Sequence, residues 1–275
     1  MSRSCGAKQG WPQRAVVSQR PFSRIMIEGS TKRLLRRLAA KYETADFLNG
    51  DPSWFMHQVE GAANREATAF VASCLSFGSR KQFLPKIRCL LDSAKGDVDG
   101  WIRDGGFERE FACGRSDCFY RFFTHGHMHD FFRAYRNILK EHGTLGEYVK
   151  REAAGDGYAA VDVICRCFAV AGSEGVVPKN AQSSCKRVCM FLRWMVRDAS
   201  PVDIGLWSDS IDRRTLVMPL DTHVVRQSVR LGLMNGSVAS MSSARKLTAA
   251  LSEVFPDDPL KGDFALFGYG VNGGR

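Results

Sequence analysis

Apolar residues spaced three and four positions apart recur along most of this chain, and this periodicity restricts the folds that it can adopt. In the segment 64–75, one such stripe comprises Ala67, Phe70, Val71, Cys74 and Leu75. Segments that alternate apolar and polar residues over four or more positions are scarce. The pattern therefore predicts an all-α protein, and 275 residues with 44% hydrophobic composition suffice for a substantial core.

Glycine, proline and short polar clusters separate the periodic segments and set the predicted helix ends. Residues 93–106, 171–184 and 198–219 are predicted to be loops because Gly, Pro and small polar residues are frequent there. Helices are predicted at 30–42, 64–75, 81–91, 111–123, 128–142, 158–169, 185–197, 222–231, 242–255 and 263–269, with a further short helix starting at 143–146.

The formal charge of +10 is concentrated at one end of the chain. Residues 1–41 contain ten Lys or Arg and one acid, whereas the remainder is nearly neutral. Residues 1–28 are predicted to be a disordered basic extension, and 29–275 a helical domain. A transit peptide, or a functional start near Met26, would explain the same composition. Because the rest of the chain is nearly neutral, any surface for nucleic acid must be local.

The cysteines, histidines and glycines of the chain indicate its cellular compartment and whether it binds a cofactor or a metal. Nine cysteines at irregular spacing, with no secretory signal, predict reduced thiols in a cytoplasmic protein, and Cys74 and Cys189 are expected to fill core volume. The chain has no apolar run of about 18 residues and no phosphate-binding glycine motif, so neither a membrane span nor a nucleotide cofactor is predicted. His125, His127 and His129 lack a fourth ligand at clear spacing, which favours a solvated helix start and predicts no metal.

The predicted helix 185–197 carries a lysine in its first turn, Lys186, after Ser183 or Ser184 as N-cap. Because the free N–H groups of this helix start can receive a DNA phosphate, Ser183 and Ser184 are also predicted to bind nucleic acid. The macrodipole and the free N–H groups at a helix start disfavour an ammonium, so a desolvated lysine there is easier to deprotonate into a nucleophile. A solvated lysine lying over the helix explains the same residue. Residues 179–197 hold five bases and no acid, which predicts a cationic ridge for phosphates that includes Arg187 and Arg193.

An aspartate, Asp221, precedes the next predicted helix, and Pro219 fixes the approach of the chain. A carboxylate at this cap could stabilise a cationic sugar or deprotonate a nucleophile, although capping alone also explains an aspartate here. His223, two residues further on, could contact a phosphate or serve as a polar packing residue.

Three segments resemble helix-hairpin-helix DNA glycosylases, the endonuclease III superfamily. They are PLDTHVVRQSVRLGL, AFVASCLSFGSRKQFLPKI and LKGDFALFGYG. Through KRVCMFLRWMVR, PLDTHV and DFALFGYGVN, the chain is most similar to an uncharacterised bacterial family related to the archaeal 8-oxoguanine DNA glycosylases. The resemblance implies a two-lobed helical bundle with a central cleft and covers roughly residues 30–272.

The resemblance also implies roles for individual residues. Asp221 matches the catalytic aspartate, and Lys186 matches the lysine that forms a Schiff base with the sugar. Lys186 precedes Asp221 by 35 residues, a separation longer than in endonuclease III and nearer to that of the archaeal branch. Arg80 and Gln82 lie where the superfamily commonly inserts a residue into DNA. No cysteine follows Cys189, so the iron–sulfur cluster of endonuclease III is not implied.

The function that the resemblance implies is DNA base-excision repair. The chain is expected to act as a monomer on double-stranded DNA in the cytoplasm and to remove an oxidised purine such as 8-oxoguanine, with AP-lyase activity. A non-catalytic nucleic-acid-binding protein that retains the fold is the alternative, and a helical interaction protein is a third possibility. Convergence of Lys186 and Asp221 in one cleft favours the enzyme.

Overall fold

The computed structural model describes residues 27–173 and 175–271, and most of these lie in helices, which confirms the all-α prediction. The predicted extension at 1–28 lies almost entirely outside the described residues. The helices are α1 Gly29–Tyr42, α2 Ala62–Leu75, α3 Arg80–Ser93, α4 Val98–Arg103, α5 His125–His142, α6 Leu145–Ala153, α7 Gly157–Val170, α8 Lys186–Val196, α9 Thr222–Arg230, α10 Met241–Leu251 and α11 Lys261–Val271.

Helix α2 lies at the centre of the larger group of helices, where it packs against α8, α4, α3 and the short 3-10 segment Pro52–His57. Its Phe70 is fully buried, and four other aromatic rings have centroids 4.9 to 6.0 Å from that of Phe70: Phe131, Tyr135, Phe168 and Phe191. Aromatic pairs at such separations add roughly 0.5–1.5 kcal/mol each beyond burial of their area. Cys74 and Cys189 are buried free thiols, as predicted.

A second group forms from distant parts of the chain, because α11 packs against both α1 and α9. The start of α9 packs against the later turns of α11, where His223 meets Phe267 and lies close to Gly270, and both helices contribute residues to the wall of one cavity. Asp221 precedes α9 and Asp263 lies in the first turn of α11, so two carboxylates that are far apart in sequence come to the same region.

The predicted helix 111–123 is wrong. The chain there forms a loop and an antiparallel hairpin, with strands β1 Cys118–Tyr120 and β2 Phe123–Thr124. Thr124 then caps α5 in a capping box with His127, so the helix start predicted for the histidine segment is confirmed. The predicted loop 93–106 is also wrong in part, because Asp97 caps the short helix α4.

Within residues 27–173 and 175–271, no helix is long and apolar enough to cross a membrane.

Candidate active site

A cleft of about 990 Å³ opens beside the first turns of α8, α9 and α11 and the turn that precedes α3. Its wall carries an amine and two carboxylates, those of Lys186, Asp221 and Asp263. Its further ionisable side chains are Asp51, Arg80, Arg193, His223 and Arg226, and its aromatic side chains are Phe47, Phe77, Phe83 and Phe267.

Lys186 is the first residue of α8, as predicted, and its side chain is half-buried in the wall of the cleft. The predicted serine cap is wrong: Cys185 occupies the N-cap position, with φ +45°, and its side chain makes no cap hydrogen bond. Ser183 is exposed, and its hydroxyl accepts from the Cys185 N–H at 3.4 Å. Ser184 is half-buried and its carbonyl accepts from the Cys189 thiol. Neither serine lines the cleft.

Asp221 is the N-cap of α9, which confirms the predicted local role. Its Oδ1 accepts from the Val224 N–H at 2.8 Å. The residue is also half-buried in the wall of the cleft that holds Lys186. The cap hydrogen bond fixes the carboxylate in place. Because the residue also lines the cleft, a capping role does not exclude a chemical one.

The surroundings of Lys186 in the cleft make its ammonium easier to deprotonate than that of a free lysine. Burial lowers the pKa of this lysine, and the carboxylates Asp221, Asp263 and Asp51 act in the opposite direction without cancelling that effect. All three acids therefore lie close enough to Lys186 to interact with its charge. A lysine with a lowered pKa that shares a cleft wall with carboxylates has the features that an amine nucleophile requires.

Asp263 is a residue of the cleft whose role sequence reasoning did not assign. It is buried, and burial raises its pKa to about 6, although the Arg193 guanidinium that donates to Oδ2 opposes the shift. In the sequence, a role for Asp263 is indicated only by the presence of an acid near the start of the largely apolar segment KGDFALFGYG. An acid in such a helix needs a buried partner, and that partner is Arg193 in α8.

The predicted cationic ridge of α8 is wrong. The Arg193 side chain is only 4% exposed and is held by Asp203 and Asp263, so it contributes to the floor of the cleft and not to a phosphate-binding surface. Arg187 donates to the Cys74 carbonyl and lies over the Phe77 ring. The arginines of this helix tie it to the interior because their polar partners are buried with them.

The other predicted DNA-contact residues differ in position. Arg80 is the first residue of α3 and lines the cleft, with Nη2 3.5 Å from Asp51 Oδ2 and the guanidinium over the Phe267 ring. His223 lines the cleft and meets the edge of the same ring, at a centroid separation of 5.9 Å. Gln82 is exposed on α3 and does not line the cleft.

One group among the described residues could hold a metal ion, although no metal was predicted. The ligand atoms of Cys113, His129 and Asp130 all lie within 4.8 Å of one another. Cys113 is exposed, and Asp130 is also 3.6 Å from Arg133. His125 pairs instead with Asp117, at 2.9 Å. The group lies outside the cleft wall and contributes nothing to the site described above.

A family model described as "Protein of unknown function (DUF2400)" matches residues 51–272. This range includes Asp51, Lys186, Asp221 and Asp263. No curated protein and no solved structure matches the chain.

Proposed function

We propose a function for this chain, which belongs to the DUF2400 family: it is a DNA base-excision repair glycosylase with AP-lyase activity. The observation that carries the proposal is the presence of Lys186 and Asp221 in the wall of one cleft. The two residues are 35 positions apart in sequence and lie at the starts of two helices, and nothing in either helix alone requires them to share a cavity.

The shape and lining of the cleft support a nucleotide as the ligand. Its volume of about 990 Å³ is at the upper end of the range for small-molecule sites. Enzymes that act on a base in DNA extrude it and hold it between aromatic or apolar side chains. Phe77 and Phe267 in the wall are suited to that contact, and Arg226 is an exposed cation at the same cavity. We take the two groups of helices that border the cleft as the two lobes that the proposed fold requires.

In the proposed reaction, Lys186 acts as the nucleophile and Asp221 as the base. The Nζ lone pair forms a bond to C1′ of the sugar while the glycosidic bond breaks, and the base departs with the bonding electrons and takes up a proton. Asp221 accepts a proton from the nitrogen and stabilises the positive charge of the sugar. The C1′–O4′ bond then breaks, O4′ takes up the proton held by Asp221, and the nitrogen lone pair forms the C=N bond of a protonated Schiff base. Loss of a C2′ proton to solvent then breaks the C3′–O3′ bond, and the phosphate at that position leaves as the 5′ phosphate of the downstream strand.

The expected partner is double-stranded DNA with a damaged base, bound by a monomer. The identity of the base, an oxidised purine such as 8-oxoguanine, rests on the resemblance to the archaeal enzymes and not on any contact in the cleft.

The direct test is borohydride trapping with duplexes that contain 8-oxoguanine or an abasic site. A covalent protein–DNA adduct on the abasic duplex is expected, together with release of 8-oxoguanine from the other. Salt-dependent binding of duplex DNA without an adduct on either substrate would instead favour a binding protein that retains the fold.

Replacement of Asp221 by asparagine separates capping from chemistry. Asn caps a helix as well as Asp, so the free energy of unfolding should change little, whereas Asp221→Ala should cost about 1 kcal/mol. Loss of the carboxylate should slow base release by about 10²–10⁴-fold in single-turnover assays. Equal rates for Asp221→Asn and wild type would leave Asp221 with a capping role only.

The adduct-forming rate should rise with pH, because only the neutral amine of Lys186 attacks. Since burial lowers the pKa of Lys186, the pH at which the rate is half-maximal should lie below about 10.4, the pKa of a free lysine. The Asp221 carboxylate raises that pKa, so Asp221→Asn should move the midpoint to lower pH as well as reduce the rate. Trapping rates measured from about pH 6 to about pH 10 test both shifts, and a midpoint that moves upward in the variant would contradict the assignment.

A further inference from the structure

We propose that the β1–β2 hairpin is a duplex-insertion element, and that Phe122 at its turn enters the base stack where a nucleotide is extruded. The inference rests on the proposed action on duplex DNA. It concerns a segment that sequence reasoning placed in a helix and that has no part in the lysine chemistry.

The turn of the hairpin departs from the residues that such turns favour. Tyr120 pairs with Phe123, so Arg121 and Phe122 form a two-residue loop. Arg121 has φ +54°, a conformation for which hairpin turns use Gly or Asn. Phe122 is 62% exposed, whereas the neighbouring aromatics Tyr120 and Phe123 are buried. The turn therefore combines a non-glycine residue at positive φ with an aromatic ring exposed to solvent. Such departures from the usual local preferences are concentrated at functional sites.

The hairpin is held against the rim of the cleft. Phe77 and Gly78 both line the cleft, and the Phe122 ring centroid lies 4.9 Å from that of Phe77. The Tyr120 hydroxyl donates to the Phe77 carbonyl, which anchors the strand to the same turn. At Gly78 an added Cβ would lie 2.6 Å from Arg121 Nη1, so the glycine permits the close approach of the arginine.

The chemistry of the tip suits a nucleic acid. An aromatic side chain can fill the gap that an extruded base leaves and stack on its neighbours, as apolar wedges do in other DNA-bending and base-flipping proteins. The exposed Arg121 beside it is placed for a phosphate. The residues proposed for insertion from the resemblance are less suited: Arg80 is held by Asp51 and Phe267, and Gln82 does not line the cleft.

The test compares Phe122→Ala and Phe122→Trp with Val170→Ala, which removes another exposed apolar side chain, at the end of α7. The probe is a short duplex with a tetrahydrofuran abasic analogue and an adjacent 2-aminopurine. We expect Phe122→Ala to weaken binding on the order of tenfold and to lose the fluorescence rise that reports unstacking. Phe122→Trp and Val170→Ala should resemble wild type, and circular dichroism should show that all variants retain helical structure.

The outcomes separate this inference from the proposed function. If wild type forms the trapped adduct and Phe122→Ala matches it in affinity and fluorescence, the insertion role is wrong and the glycosylase proposal stands. If wild type forms no adduct but its fluorescence rise depends on Phe122, the lysine chemistry is wrong and the insertion role stands. Wild-type protein that binds no duplex DNA overturns both.

Discussion

Lys186→Ala is expected to abolish the borohydride-trapped adduct with abasic DNA, a loss of more than about 10³-fold, as for removal of other catalytic nucleophiles. The Schiff base needs a primary amine at C1′, and Lys186 is the lysine that lines the cleft. The adduct is measured as a labelled DNA band of reduced mobility after denaturing electrophoresis. Lys186→Arg should be equally inactive, because a guanidinium retains the charge but does not form the imine.

The matched control is Lys246→Ala, which removes an exposed lysine from α10 and should leave the adduct at the wild-type level. Lys186→Ala should also retain affinity for duplex DNA, since the attack on the sugar contributes to chemistry and not to backbone contact. An adduct of undiminished yield in Lys186→Ala would show that another amine reacts and would remove the basis of the proposed mechanism.

The sequence predicts helices well wherever apolar residues follow the helical period and a cap marks the start, as at α2 and α9. It fails at the hairpin because Phe111, Phe119 and Phe123 have spacings of eight and four, which a helix also produces. The turn that would have revealed the hairpin contains Arg121 and Phe122 and lacks the usual Gly or Asn. The failure therefore coincides with the segment that we propose to insert into DNA.

In the candidate site, the sequence identifies side chains whose role is set by neighbours a few residues away. It misses side chains whose role is set by partners far away in the sequence. The Asp221 cap is visible within a few residues, because Val224 supplies the N–H that it accepts. The segment 179–197 holds five bases and no acid, which suggests an exposed cationic surface. The acids that bind them in the folded chain include Asp258 and Asp263, more than sixty residues further on. Only tertiary packing shows that these arginines are internal.

This internal network connects stability to the cleft. Arg197 donates to three carboxylates, those of Glu43, Asp203 and Asp258, and Asp203 in turn accepts from Arg193. Arg193 then holds Asp263 in the cleft wall. The position of Asp263 in the cleft wall therefore depends on a chain of buried charges that begins at the end of α1 and passes through α8.

Arg197→Ala is expected to lower the free energy of unfolding by about 3–5 kcal/mol, because it leaves buried carboxylates without their counter-charge. The Arg197 side chain is 1% exposed, and that of Asp203 is fully buried, so water cannot replace the lost donor without rearrangement. Urea-induced unfolding followed by circular dichroism measures the change, and an unaltered slope would show that the variant still unfolds in one step.

The control for Arg197→Ala is Arg213→Ala, which breaks a 2.8 Å pair with Asp198 at the surface. The side chains of Arg213 and Asp198 are both about half exposed, so solvent screens the pair. Its loss should lower the free energy of unfolding by less than about 1 kcal/mol. Similar costs for the two variants would show that the buried network contributes no more than a surface ion pair. A large cost for Arg197→Ala alone would show that the charges behind the cleft are essential to the fold that positions Asp263.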